Sequence, residues 1–493
     1  MGGGSLDLTT DLTIGSLAGS GNVTLNANTL TTGGNNTSAS YSGVVSGTGA
    51  FTKQGTGTTT LSGANTYTGG TTINGGTISV TADNNLGNGG TLTLNGGTLQ
   101  NTATLTTSRA TTLDTSGGTF NTAVGTTLTH NGIISDTGSL TKSGSGTLVL
   151  SGANTYTGTT NITDGTLQVN GTSIADTSAL SLSGTGNLTL AGSETIGSLA
   201  SNSGTSTVTL GSNTLTTGNA NNTTFKGVIS GTGSLTKQGT GTTTLSGVNT
   251  YNGGTTINGG AIRINANNNL GSGILTLNGG TLQNTASLTT SRAVTLSAGG
   301  GTLNTDAGTT LTHNGVISGS GSLTKTGTGR TNLTGTNTYS GATTINAGTL
   351  SVNGSIINST TTINAGGTLG GNGTVGSVNV AGGSFAPGNS IGTTNVTGNV
   401  DFTGSGNYNV EVNAAGATDL ITATGTANLT SGIVNVQPEA GNYLVKTDYT
   451  ILTAAGGLGG TSFASVNSNL AFLTPSLSYD TNSVKLELER NDV

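Results

Sequence analysis

The sequence predicts an all-β fold, a parallel β-solenoid, from three observations: a passage written four times, apolar residues that alternate with polar ones, and glycine pairs that cut every strand short. The passage from residue 46 to 78, SGTGAFTKQGTGTTTLSGANTYTGGTTINGGTI, returns with small changes from Ser135, Ser230 and Ser318. Long tandem repetition marks architectures whose units stack to share one continuous core. Ile78 and Val80, Leu92 and Leu94, and Leu148 and Leu150 alternate with polar neighbours, which is the two-residue period of a half-buried strand. Helical spacing is absent. Asn-Gly-Gly at Asn74, Asn95, Asn258 and Asn278 supplies positions where φ > 0 carries no steric cost. Asn-Gly also advertises a hairpin, which would give an antiparallel meander or a very large barrel. Strands this short cannot build a wide barrel, so the glycine pairs are read as solenoid corners.

A longer period contains the short one. TLQNTATLTTSRA from Thr98 recurs as TLQNTASLTTSRA from Thr281, and IGSLA at Ile14 recurs at Ile196, offsets of 183 and 182 residues. The expected organisation is therefore a first solenoid unit over 1–182, a second over 183–365, and an unrelated C-terminal segment over 366–493. With about 22 residues per coil and a rise of ~4.8 Å between strands, the chain would make about 22 coils and a rod on the order of 100 Å long. Asn and Thr ladders are expected where coils stack. The last segment reads differently: Pro387, Pro438 and Pro475 all lie there, as do Phe385, Phe402, Phe463 and Phe472 and Tyr408, Tyr443, Tyr449 and Tyr479. Open solenoid ends expose a hydrophobic section and unpaired edges, so this segment is expected to be the cap.

Composition narrows the function. Charged residues are 6% of the chain, against roughly 25% in ordinary globular proteins, and glycine fills 89 positions. Solubility must come from uncharged polar groups. A pI of 4.7 without any basic cluster argues against nucleic acid as a partner. Cysteine is absent, which suits a chain that crosses a narrow pore unfolded. No apolar run reaches the ~18 residues of a membrane helix. The opening Met1–Ser5 has neither the charged nor the apolar region of a signal peptide, so none is read there and the start is not taken as native.

The passage GTGSLTKQGTGTTTLSGVNTYNGGTTINGG resembles the passenger-associated transport repeat of autotransporters, the monomeric type V secretion proteins of Gram-negative bacteria. The text from Gly366, with APGNSIGT at Ala386–Thr393 and YTILTA at Tyr449–Ala454, resembles the stable pertactin-like part of such a passenger. The resemblance implies a right-handed, single-stranded parallel β-helix displayed outside the outer membrane, with a C-terminal β-barrel translocator as partner, absent from this sequence. It also implies that the C-terminal segment folds first and templates the rest.

Enzymatic chemistry finds little support. Neither GDSGSP nor an early GDS, the nucleophile settings of the protease and lipase branches, occurs. The two histidines, His130 and His313, stand 183 residues apart in identical TLTHNG contexts, as one repeat position written twice; a structural or exposed role is expected rather than general-base work. Asp83, Asp114, Asp136, Asp164 and Asp306 are scattered and mostly not repeated, since Asp83 aligns with Asn267 and Asp114 with Ser297. Glycan-cleaving chemistry needs clustered carboxylates. Lys53, Lys142, Lys237 and Lys325 share one repeat position and are expected as solvated charges that discourage edge pairing, with a weak glycan or anion contact the alternative. Tyr67, Tyr156, Tyr251 and Tyr339 share another and are expected to pack over a corner, with stacking on sugars the alternative. Sequons such as Asn36 and Asn187 follow from composition. No catalytic, cofactor or metal residue is nominated, and the ligand-binding residues are unknown. The sequence reads as a non-enzymatic adhesin or autoaggregation rod whose partner is a host glycan or protein, or a sister rod; a passive stalk and a carbohydrate-acting enzyme are the alternatives.

Overall fold

A computed structural model describes residues 4–491; the first three residues of the opening segment lie outside them. Each strand is short because its inward residues alternate with outward ones and a glycine or asparagine then turns the chain. Leu92–Leu94, for instance, is buried at both ends and half-buried at Thr93 between them. Among the described residues the sixty strands run mostly two to five residues, and only Asp83–Leu86 and its repeat copy Asn267–Leu270 form helical turns, both 3-10. Successive strands on a face pair in parallel, so Leu92 lies beside Thr111 and Leu94 beside Leu113. Parallel pairing settles the Asn-Gly question in favour of corners. The chain is a parallel β-solenoid of about 20 turns.

The chain divides into two compact units, Met1–Gly253 and Gly254–Val493. In each, apolar side chains stack along the axis. In the first, Leu148, Leu167, Leu188 and Val208 follow one another coil by coil, and all four are inaccessible to solvent. Burying such a side chain is worth about 1.5–3 kcal/mol, and here every coil contributes several. Large side chains need room in the neighbouring coil: a Cβ on Gly118 would meet Leu94 Cβ at 2.3 Å.

Coil length is not constant. Thr361 pairs with Val378, 17 residues on, whereas Val434 pairs with Val466, 32 residues on. The longer coils enclose a thicker core, and the sequence supplies it with aromatics: Phe402, Tyr408 and Phe463 meet with ring centroids 5.1 to 6.2 Å apart. At the end the direction reverses. Lys446–Ala454 pairs antiparallel with Ser483–Arg490, which pairs antiparallel with Leu473–Tyr479. Pro475 sits in that outer strand, where the missing N–H is tolerated.

Candidate functional site

The four lysines are not solvated. Lys53, Lys142 and Lys325 are fully buried and Lys237 is 1% exposed, which corrects the expectation from their charge. Alternation puts them inside: in Phe51–Lys53 the first and third residues face the core together. Burial is tolerated because a corner collects carbonyls whose hydrogen bonds no neighbouring N–H completes. Lys142 Nζ donates to the Ser143 carbonyl at 2.8 Å, to that of Gly144, and to the next coil's Asp164 carbonyl at 3.1 Å. Lys325 repeats this with Thr326, Gly327 and Ala347 at 2.7, 2.7 and 3.2 Å, and Lys53 with Gln54, Gly55 and Gly75 at 2.6, 3.3 and 3.4 Å. Three donors thus meet three acceptors. Glycine is needed beside them: at Gly76, with φ of 61°, a Cβ would fall 2.7 Å from Lys53 Nζ. Burial pushes the Lys142 and Lys325 ammonium groups down to about 8, and lowers those of Lys53 and Lys237 in the same sense.

The Asn-Thr-Tyr part of the passage is a second bolt. Asn154 Oδ1 accepts the Ile134 N–H at 2.8 Å while its Nδ2 donates to the Ser173 carbonyl at 2.7 Å, so one buried amide bridges the coils on either side. Asn65 does the same between Val45 and Asn85, and Asn337 between Ile317 and Ser355. Tyr67, Tyr156, Tyr251 and Tyr339 are all fully buried, as packing over a corner requires. The hydroxyls of Tyr67, Tyr156 and Tyr339 each meet the threonine four residues on at 2.6 Å. Desolvation raises these phenols, Tyr67 and Tyr339 to about 12.

Both histidines are buried. His130 packs its ring edge-on to Phe120, and its Nε2 lies 2.8 Å from the Thr111 hydroxyl. Burial drives it down to about 4, so it is a neutral packing residue. In the second copy Val294 stands where Thr111 stood and Leu303 where Phe120 stood, and His313 lines a gap of about 20 Å³ left beside Leu303. A reacting group would not lose its partner this way.

The five singled-out aspartates do not converge. Asp83 pairs with Arg109 at 2.9 Å, Asp306 takes Gln283 Nε2 at 2.7 Å, Asp164 receives the Thr185 hydroxyl, and Asp114 and Asp136 each accept the next residue's N–H. Asn36 and Asn187 are spent on the stack, accepting from the Thr56 N–H at 2.9 Å and the Thr207 hydroxyl at 2.7 Å. Sequence reasoning missed two buried carboxylates, Glu194 and Asp419, each 1% exposed. Glu194 accepts the N–H groups of Gly171 and Ile174 at 3.0 and 3.3 Å, pinning a loop; desolvation pushes it up to about 7. Its signal was available, because the first copy has Leu12 at that position and a carboxylate in an apolar slot announces itself. Asp419 accepts from Gly392 and Glu411 N–H at 2.8 and 2.9 Å and rises to about 7 for the same reason. No repeat partner flags it.

With the polar repeat residues consumed inside, the outward rows are what each unit presents to solvent. In the first unit Thr13, Thr31, Thr52, Thr72, Thr93 and Thr112 stack in register and Ser135 follows. The duplicate repeats the column: Thr195, Thr216 and Thr236 in the first unit, and Thr256, Thr276, Thr295 and Ser318 in the second. Neighbouring strands are ~4.8 Å apart, so each column offers hydroxyls and methyls at a fixed repeat. The passage itself does not keep to one face. Phe51–Lys53 belongs to the ladder of Thr71–Ile73, Leu92–Leu94, Thr111–Leu113 and Ile134–Ser135. Its copy Leu140–Ser143 lies on the adjacent ladder of Thr58–Leu61, Thr77–Val80, Thr98–Asn101 and Gly118–Thr122. The first spacing is therefore four coils plus one face, and the lysine cradle works at more than one corner.

Comparison with known families finds the passenger-associated-transport-repeat four times, at residues 51–80, 140–169, 235–264 and 323–352. These segments run from the lysine strand through the Asn-Thr-Tyr bolt to the second strand after it. A search of curated proteins finds no match to the chain.

Proposed function

Because four passenger-associated-transport repeats indicate an autotransporter passenger, secreted to the cell surface with a translocator as partner, we propose that the chain is a non-enzymatic adhesin or autoaggregation module exported across a Gram-negative outer membrane. One observation carries the adhesive part of this reading: the uninterrupted, uncharged threonine columns on the outward face of each unit. Each hydroxyl contributes little alone, but contacts repeated along one surface act together once the first has formed, which multiplies affinity without a strong single site. A host surface or a second copy of the chain, whose strands have the same repeat, would be the opposing surface. The buried, partner-poor His313 and the dispersed aspartates support the absence of catalysis.

Charge placed in a column tests this. The purified chain and a Thr52→Glu/Thr72→Glu/Thr93→Glu variant would be compared by sedimentation velocity over a wide concentration range and by capture on host-cell monolayers. The reading expects the parent to associate or to bind cells and the variant to lose that behaviour while keeping its circular dichroism. A parent that does neither, or a variant indistinguishable from it, rejects the reading. Release of reducing ends from a polysaccharide panel would reject the non-enzymatic part.

A further inference from the structure

One face of the second unit is interrupted. Its ladder runs from Arg330–Leu333 through Gly348–Val352 and Gly367–Gly370 to Ser384–Phe385, Asn407–Val412 and Ile433–Pro438. The strand Ser384–Phe385 stops after two residues because the chain folds back on itself, bridging Gly388 to Gly371 antiparallel. Gly388 has φ of 85° and a Cβ there would meet the Ser390 carbonyl at 1.8 Å, so the turn requires glycine. Asn389 ties the loop down, accepting from Arg330 Nη2 at 2.5 Å and Ser351 Oγ at 2.9 Å and donating to Asn353 at 2.7 Å. Where the missing residues would have continued the ladder, a cleft of about 180 Å³ opens between the coils.

The walls of this cleft combine clustered charge with unpartnered polar side chains. Charged residues are 6% of the chain, yet Arg330, Glu411 and Asp419 all line this one cleft. Several outward polar side chains elsewhere bond from coil to coil, as Asn435 does to Asn407 at 3.0 Å, Asn353 to Asn332 at 2.6 Å and Thr422 to Asn395 at 2.7 Å. The side chains of Glu411, Gln437, Thr349 and Thr368 make no hydrogen bond or ion pair among the described residues, although all four face the cleft. Asp419 is occupied holding the backbone of Gly392 and Glu411, which fixes the loop's end and the base of the Glu411 side chain. Ala386 and Pro387 supply an apolar wall.

We propose that this cleft is a binding site for a single neutral sugar ring at the end or branch of a glycan. Its volume is that of about six waters at ~30 Å³ each, well below the ~300–1,000 Å³ of pockets for larger ligands. A carboxylate and an amide can each engage two adjacent hydroxyls, as acceptors and as donor with acceptor, and the guanidinium adds fixed donors. Cation and carboxylate both line the space, so a ligand of either sign meets a like charge; a neutral polyol does not. The proline and alanine wall matches the C–H face of a pyranose. This inference deepens the adhesive reading by naming a ligand class, and it rests on that reading only for its biological use.

Saturation-transfer difference NMR on the whole chain tests it, using the methyl glycosides of glucose, galactose, mannose and N-acetylglucosamine, with sodium sulfate and lysine as charged competitors. At least one glycoside is expected to bind with Kd on the order of 1 mM. Glu411→Gln should weaken it by about tenfold or more, the loss of a charge-assisted hydrogen bond, and Gln437→Ala should weaken it as well, both with unchanged thermal melts. Binding by none of the glycosides, equal affinity in Glu411→Gln, or displacement by sulfate or lysine as effective as by sugar would each overturn the proposal. The adhesive reading fails separately: glycoside binding that persists in a chain that neither self-associates nor captures cells removes adhesion and leaves the cleft.

Discussion

The buried lysines make the stability of this solenoid rise in alkali, contrary to the usual behaviour of a protein above neutrality. Lys142 and Lys325 titrate at about 8 in the folded chain and near 10.4 when unfolded. Between these values the unfolded chain holds more protons, so stability increases with pH. Below about 8 both states are protonated and the desolvation penalty of the charge is borne in full. Each lysine gives a slope of about 1.4 kcal/mol per pH unit inside the window, and the pair about 2.7, reaching about 3 kcal/mol per lysine by its upper edge. Lys53 and Lys237 act in the same direction. The buried phenols oppose this above pH ~10: Tyr67 and Tyr339 are held up at about 12, so stability is lost as the unfolded phenols ionise first. A maximum near pH 10 results. Guanidinium unfolding followed by far-ultraviolet circular dichroism from pH 7 to 11 would show it, and Lys142→Met/Lys325→Met should remove about 2.7 kcal/mol per pH unit of the slope. A midpoint that stays flat or falls between pH 8 and 10, or a double variant with the parental slope, would show that the ammonium groups are not desolvated as their carbonyl cradles imply.

Three further expectations follow from other residues. Glu194, raised by burial to about 7, contributes stability that is fully present below its unfolded value of ~4.3 and lost as pH rises to 7; Glu194→Gln should flatten the unfolding midpoint over that range, and an unchanged profile would count against its burial. Asn154→Ala should cost about 2–4 kcal/mol, because it strands the buried Ile134 N–H and the Ser173 carbonyl; hydrogen exchange at Ile134 faster by several decades is the local readout, and parental protection there would refute the bridging role. Deleting residues 366–493 should leave the repeats unable to refold from denaturant if the wide, aromatic coils template them. Rapid recovery of cooperative β-sheet circular dichroism by the shortened chain would reject that order of folding.

The sequence by itself determined the class of fold. Alternation, tandem repetition and glycine corners are local properties, and a solenoid is a structure in which local properties suffice, since each coil meets only its neighbours. The stacked threonines and the buried Tyr67 series were legible for the same reason. Lys53 was legible in part: its spacing from Phe51 already placed it inside, but the rule that lysine stays in water outweighed the alternation. What reverses that rule is a set of carbonyls, one of them from Gly75 in the following coil, which no window on the sequence brings together. Glu194 could have been found by laying the two copies side by side and asking why Leu12 had become acidic. The cleft could not. Its walls come from Thr349, Thr368, Glu411 and Gln437, on different coils, and it exists because one strand ends after Phe385 while the strands on either side continue. Coil length decides which outward residues become neighbours, and in the C-terminal region, where Phe402, Tyr408 and Phe463 pack together in the core, it varies from 17 to 32 residues and follows no period written in the chain.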